Sequence, residues 1–168
     1  MTKEKKRKII ICDPELCTGC RICEYACAGH NDNSLNLRHS RMKVVRMEPI
    51  TNLAMSCVNC EDPDCVKGCP LQAIVYDEKE GIIVVDEKKC DGCGLCIDRC
   101  KFGSLTLALR DNNVFVCDYC KDYDSPRCVE FCPKDALSYE VATDKHFQGL
   151  IKKIKEDNEN NDNEEESN

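Results

Sequence analysis

The chain has 168 residues, with 24 Lys and Arg against 31 Asp and Glu and a formal charge of −7. Seventeen cysteines inflate its hydrophobic fraction of 42% and there is no Trp, so the apolar core is thin for this length and burial alone does not account for a stable fold. The odd cysteine count speaks against a secreted disulfide scaffold.

Residues 1–7 read as a basic arm. Only Ile9, Ile10 and Ile11 follow it before Cys12-Asp13-Pro14. That run is too short for a signal-peptide core, and nothing approaches a membrane span. No aromatic residue interleaves the charges, so neither a nucleic-acid patch nor a membrane helix is expected. Lys8 to Cys12 reads as a strand, followed by the quartet Cys17-x2-Cys20-x2-Cys23-x3-Cys27 and a short helix over Arg21 to Ala28. Met42 to Met47 is a further strand. Next comes Cys57-x2-Cys60-x4-Cys65-x3-Cys69, closed by Pro70. Ile74 to Tyr76 and Ile82 to Val85 flank a charged turn ending in Gly81, the pattern of a hairpin. The third quartet is Cys90-x2-Cys93-x2-Cys96-x3-Cys100, with a helix expected over Leu95 to Phe102. Leu105 to Leu109 and Val114 to Val116 flank a second polar turn. The fourth quartet is Cys117-x2-Cys120-x7-Cys128-x3-Cys132, closed by Pro133, and Leu137 to Tyr139 is the last strand. A C-terminal helix is expected over 143–156, because Phe147, Leu150, Ile151 and Ile154 share one helical face. The tail 157–168 holds six acids and no apolar residue, the composition of a disordered segment. Without it the body is almost neutral.

Four repeats of one cysteine pattern carry the chemistry. A [4Fe–4S] cluster takes four thiolates, and Cys-x2-Cys-x2-Cys wraps a tight loop that presents three sulfurs to one cage. The last cysteine, three residues on, is expected to start a helix, point away and ligate the other cluster of a pair. Gly19, Gly92 and Gly94 suit the sharp turns such loops need. A structural zinc site normally comes as two CxxC knuckles separated by a longer loop. The first and third quartets have no such separation. Spacing leaves open whether neighbouring quartets pair in sequence order or in a nested order. Cys12 stands outside every quartet and reads as a small buried apolar side chain. His30, His39 and His146 share no helix face with another ligand and are assigned no metal. No nucleotide loop or nucleophile elbow is present, so no catalytic site is expected on this chain.

The x2-x2-x3, x2-x4-x3, x2-x2-x3 and x2-x7-x3 gaps resemble the four-cluster electron-transfer subunits of molybdenum and tungsten oxidoreductases. The stretch Cys17-Thr18-Gly19-Cys20-Arg21, with His30 and Ser40-Arg41-Met42, is most similar to the short branch associated with aldehyde oxidoreductase and carbon-monoxide dehydrogenase. The resemblance covers roughly residues 8–142. It implies an α+β fold of two pseudo-symmetric bicluster ferredoxin-like units around a cluster-dominated core. It also implies a nested pairing. Cys17, Cys20, Cys23 and Cys132 would hold one cluster, and Cys57, Cys60, Cys65 and Cys100 a second. Cys90, Cys93, Cys96 and Cys69 would hold a third, and Cys117, Cys120, Cys128 and Cys27 a fourth. The outer unit then spans quartets 17–27 and 117–132, and the inner unit spans 57–100. Ala28 and Lys101 depart from the pattern, standing where many members place Pro.

The implied function is electron relay through four [4Fe–4S] clusters between a catalytic oxidoreductase subunit and an acceptor or donor protein. The partner would be a tungsten or molybdenum aldehyde-oxidoreductase-like enzyme, a carbon-monoxide dehydrogenase, a formate dehydrogenase or a hydrogenase. A freely diffusing polyferredoxin is the alternative, and a structural zinc protein a remote one. The expected location is the cytoplasm, unless the chain is exported alongside a signal-bearing partner.

Overall fold

The computed structural model describes residues 7–47, 51–108 and 112–142. The expected helix over 143–156 and the acidic tail 157–168 lie outside them, as does the basic arm except for Arg7. Rather than standing in solvent, Arg7 is docked: its guanidinium donates to the Asn59 carbonyl at 3.0 Å and pairs with Glu61.

The described residues form an α+β arrangement of short antiparallel strand pairs and few helices. The strands are β1 (Lys8–Cys12), β2 (Lys43–Met47), β3 (Thr51–Met55), β4 (Ile74–Asp77), β5 (Ile82–Val85), β6 (Thr106–Leu107), β7 (Val114–Phe115) and β8 (Leu137–Val141). They pair as four two-stranded ladders, β1 with β8, β2 with β3, β4 with β5 and β6 with β7. The helices are α1 (Ile22–Asp32), α2 (Asp64–Lys67), α3 (Leu95–Asp98) and α4 (Arg127–Glu130), with one 3-10 turn at Leu37–His39.

Two ladders set the site. β1 and β8 join the two ends of the described chain, with Cys12 opposite Leu137. The Asp13 N–H then donates to the Ala136 carbonyl and the Cys17 N–H to the Asp13 carbonyl, at 2.8 and 3.0 Å. The β4–β5 hairpin does the same one quartet later. Asp77 accepts the Lys79 and Glu80 amides, and Gly81 closes the turn at φ +71°, a left-handed conformation cheap for glycine. Beyond the hairpin, the Asp86 N–H donates to the Ala73 carbonyl and the Cys90 N–H to the Asp86 carbonyl, at 2.7 and 3.0 Å. Just beyond each ladder's end, a cysteine four residues before one member of the hydrogen-bonded pair is thus set beside a cysteine four residues after the other. Cys132 faces Cys17, and Cys69 faces Cys90.

Thiols make up much of the core. Cys23, Cys27, Cys57, Cys65, Cys96, Cys117 and Cys128 are buried together with Ile10, Met42, Ala54, Ile74, Ile83, Leu105, Val114 and Leu137. Three of the fourth cysteines, Cys69, Cys100 and Cys132, are placed otherwise than expected. α2, α3 and α4 carry the third cysteine of their quartets and end before Cys69, Cys100 and Cys132. Only Cys27 lies within a helix, α1, which runs on to Asp32. Ala28 sits fully buried inside it, so a proline there would break a helix that in the other three quartets has already ended.

Candidate metal centre

The quartets share one local conformation. The residue before the second cysteine is left-handed in all four, with Gly19, Asn59, Gly92 and Tyr119 at φ +68°, +50°, +72° and +58°. At Gly19 a side chain would also collide with the Asn52 amide, whose oxygen lies 2.6 Å from a Cβ built there. The third residue past the last cysteine is left-handed in three quartets, Gln72, Gly103 and Asp135. That turn points the next amide back at the sulfur. Ala73, Ser104 and Ala136 donate their N–H groups to the Sγ of Cys69, Cys100 and Cys132 at 3.3, 3.4 and 3.3 Å. Cys27, held in a helix, receives the Arg41 N–H at 3.2 Å instead. Each fourth cysteine therefore has an amide aimed at its sulfur, the arrangement that stabilises an anionic thiolate.

The thiols gather across quartets. Cys17, Cys20, Cys23 and Cys132 line one small cavity, walled by Val44, Ala54 and Leu137. Cys69, Cys90, Cys93 and Cys96 line another with Pro70, Ile74 and Val114. Among the remaining eight, electrostatic interactions link thiols of different quartets. Burial first, then Cys60, Cys65 and Cys100, push the Cys57 thiol up to about 12, although the Asn59 amide opposes them. Burial first, then Cys27, Cys120 and Cys23, raise Cys128. Burial raises Cys117 well above its ordinary value, and Cys128, Cys27 and Cys57 add to it. Cys23 is pushed to about 12, and Cys65 and Cys96 to about 11, again chiefly by burial. Cys69 goes the other way. Burial opposes ionisation there, but the amides of Ile74, Ala73, Leu71 and Gln72 together hold its thiol below the usual value.

Groups of four thiols, mutually repelling once ionised and each supplied with an N–H donor, fit an iron–sulfur cluster. Iron neutralises the charge that burial penalises, and the amides satisfy the sulfurs. Among the described residues no three donors converge as tightly as one ion requires; the thiols ring cavities instead. A zinc ion would draw four sulfurs to about 2.3 Å of one point.

Arg41, whose amide serves Cys27, also adds a half-buried cation near Cys120. Its guanidinium pairs with Asp118 at 2.7 Å and lies over the Phe115 ring at 5.5 Å. Lys101 is exposed and pairs with Asp64 at 2.7 Å, so its place after Cys100 is a solvent-facing one. Cys12 is half-buried and packs against the core, accepting the Ala54 N–H at 3.3 Å, with Cys17 beside it. His39 is buried against Asp32, and His30 meets the Tyr123 ring edge-on at 4.8 Å. His146 lies outside the described residues. The Arg41 amide, Asn59 and Tyr119 were not picked out by spacing. Their one sequence signal is position, since Asn59 and Tyr119 stand where Gly19 and Gly92 stand.

Over residues 48–142 the chain matches the 4Fe–4S dicluster domain, and it belongs to that family. It is 36% identical over 133 residues to the aliphatic sulfonate oxidoreductase, polyferredoxin-like subunit, of Pyrococcus furiosus, covering 79% of this chain and 76% of the relative. It is 32% identical over 143 residues to the thiosulfate reductase electron transfer subunit PhsB of Salmonella typhi, covering 78% and 74%. To the nitrate-inducible formate dehydrogenase iron-sulfur subunit of Escherichia coli it is 30% identical over 152 residues, covering 76% of this chain and 52% of that one. The chain thus spans about half the length of this last relative.

Proposed function

We propose that this chain is an electron-transfer subunit that carries four [4Fe–4S] clusters and supplies no catalytic site of its own. Cys17, Cys20, Cys23 and Cys132 hold one cluster; Cys57, Cys60, Cys65 and Cys100 hold a second. Cys90, Cys93, Cys96 and Cys69 hold a third; Cys117, Cys120, Cys128 and Cys27 hold a fourth. The first and fourth form an outer unit, and the second and third an inner one, each a pseudo-symmetric bicluster unit within a body spanning 8–142.

One observation carries the proposal: the last thiol of each quartet keeps company with the first three of another. A bound cluster supplies reversible one-electron chemistry. The chain's own residues hold the thiolates, point amides at Cys27, Cys69, Cys100 and Cys132, and keep water away from the buried sulfurs. Cys20 and Cys93 are the two exposed thiols. Ile22 and Leu16 are exposed apolar residues near the first in sequence, and Leu95 and Leu71 are exposed beside the second. These loops are the two ports, one toward the catalytic subunit of an oxidoreductase and one toward its acceptor or donor. The names of the relatives support a redox complex as the setting. Among the described residues no helix is long and apolar enough to cross a membrane, and cytoplasmic work alongside the partner is proposed.

Iron and sulfide analysis of the anaerobically purified protein tests the count. About sixteen of each per chain are expected, and zinc with neither would end the proposal. Purification from the native source tests the setting. A complex that survives high salt is expected, whereas recovery as a lone chain would make it a free carrier.

A further inference from the structure

Tyr119 is out of keeping with its place. The equivalent positions of the first and third quartets are Gly19 and Gly92, and that of the second is Asn59. All four need a left-handed backbone, which a bulky side chain rarely adopts. Tyr119 adopts it at φ +58° and is buried to 3% exposure. Such strain persists where the surroundings hold it for a purpose.

The reach of this side chain suggests the purpose. Its hydroxyl donates to the backbone carbonyl of Cys57, so a residue between two thiols of the fourth quartet bonds directly to the first cysteine of the second. Its ring stacks on Tyr139 with centroids 5.6 Å apart and planes 24° apart, while the Lys8 ammonium lies over the far ring at 5.2 Å. Asn59 spends its side chain within its own surroundings, on Gly81 and Ile83. Tyr119 spends its own on the other unit.

We infer that Tyr119 bridges the two bicluster units, giving an electron a path of covalent bonds and one hydrogen bond from the Cys117–Cys120 loop to Cys57. This rests on the four-cluster reading above. One electron leaves the reduced centre of one unit and arrives at the oxidised centre of the other. No bond forms or breaks, and the phenol keeps its proton, hydrogen-bonded to the Cys57 carbonyl. The donated hydrogen also places positive charge beside a ligand residue of the inner unit, which favours the electron there.

The test compares the reconstituted holoprotein with Tyr119→Phe, which keeps the ring, and Tyr139→Phe, which leaves the Tyr119 hydroxyl on Cys57. Iron and sulfide are counted first in the wild type, then in both variants. A wild-type count near about eight would sink the four-cluster reading before any variant is considered. Reductive titration followed by electron paramagnetic resonance then gives the distribution of the electron between units, and flash photoreduction gives the rate at which it settles. Tyr119→Phe is expected to keep all its iron, settle more slowly, and shift the distribution toward the outer unit by about fivefold, the factor one ordinary hydrogen bond supplies. Tyr139→Phe is expected to match the wild type. A fully loaded Tyr119→Phe with wild-type rate and distribution would overturn the inference. So would loss of iron from that variant, which would make Tyr119 an assembly post.

Discussion

Nested ligation makes a prediction that a simple count of clusters does not. Replacing Cys17 or Cys132 by Ala removes a thiol from the same cavity, although 115 positions separate them in the chain. Replacing Cys27 instead removes a thiol from the group of Cys117, Cys120 and Cys128. Each single variant leaves one centre with three of its four thiols, so the iron lost is between about one and four per chain, depending on whether that centre sheds a corner or falls apart. The pairs are more informative than the singles. The double variant of Cys17 and Cys132 strikes one centre twice and is expected to lose little more iron than either single. The double variant of Cys17 and Cys27 strikes two centres and is expected to lose about the sum, as independent sites do. Iron analysis with Mössbauer spectra of the anaerobic proteins reads both outcomes. If the doubles reverse, so that Cys17 with Cys27 costs no more than one of them, each quartet ligates its own cluster and the nested assignment is wrong.

Four further outcomes are expected. Cys23 and Cys57 are pushed to about 12, and Cys65 and Cys96 to about 11, so all four are protonated near neutrality unless iron holds them. Below those values every thiol that binds iron must release a proton, so cluster retention weakens as pH falls; iron release followed against pH should rise steadily on acidification, and a flat profile would contradict this. Removing the clusters by chelation or oxygen should unfold the body, because seven of the eighteen residues of the buried core are cysteines; a sharp melting transition in the iron-free chain would show that the apolar contacts suffice. Asn59→Ala should lower the unfolding midpoint of the holoprotein. The side chain accepts the Ile83 N–H at 3.1 Å and donates to Gly81, and the buried Ile83 N–H left unpaired costs about 1–3 kcal/mol; a shift within error would mean that water replaces that bond. With each oxidised cluster adding about −2 to the formal −7, the holoprotein nears −15, so affinity for a redox partner should change with ionic strength; salt-independent binding would rule out charge-guided docking.

The strands that are short runs of β-branched residues bounded by turn residues were legible. Lys8–Cys12 is a strand to the residue, and the hairpin about Gly81 differs from expectation by Asp77 alone. β3 was not, because Thr51-Asn52-Leu53-Ala54-Met55 has little strand character of its own and is a strand by pairing with β2. The helix over Arg21 to Ala28 was legible, but a helix at the last cysteine of the other three quartets was misjudged for a geometric reason. A single turn before Cys69, Cys100 and Cys132 is enough to carry the third cysteine of each quartet inward, after which a left-handed residue turns the chain back. Nothing in spacing distinguishes that from a helix beginning at the fourth cysteine. The thiol groupings across quartets were beyond spacing as well, since they depend on which ladders form.

Those ladders explain why a thin core can support so many buried thiols. The hydrogen bond from Asp13 to Ala136 and the one from Asp86 to Ala73 stand in the same relation to their cysteines, four residues after one and four before the other. Each ladder fixes the backbone positions of two distant cysteines, and the amide that follows, of Ala136 or Ala73, donates to the sulfur itself. Alanine suits both positions because the residue supplies an N–H and a carbonyl to the site while its side chain is buried against it. A larger side chain at Ala73 or Ala136 would intrude on the cavity without removing either hydrogen bond. Ala136→Val should therefore cost iron at the centre shared by Cys17 and Cys132 and spare the other three. Loss spread evenly over all four would mean that the ladder supports the whole body and not one cavity.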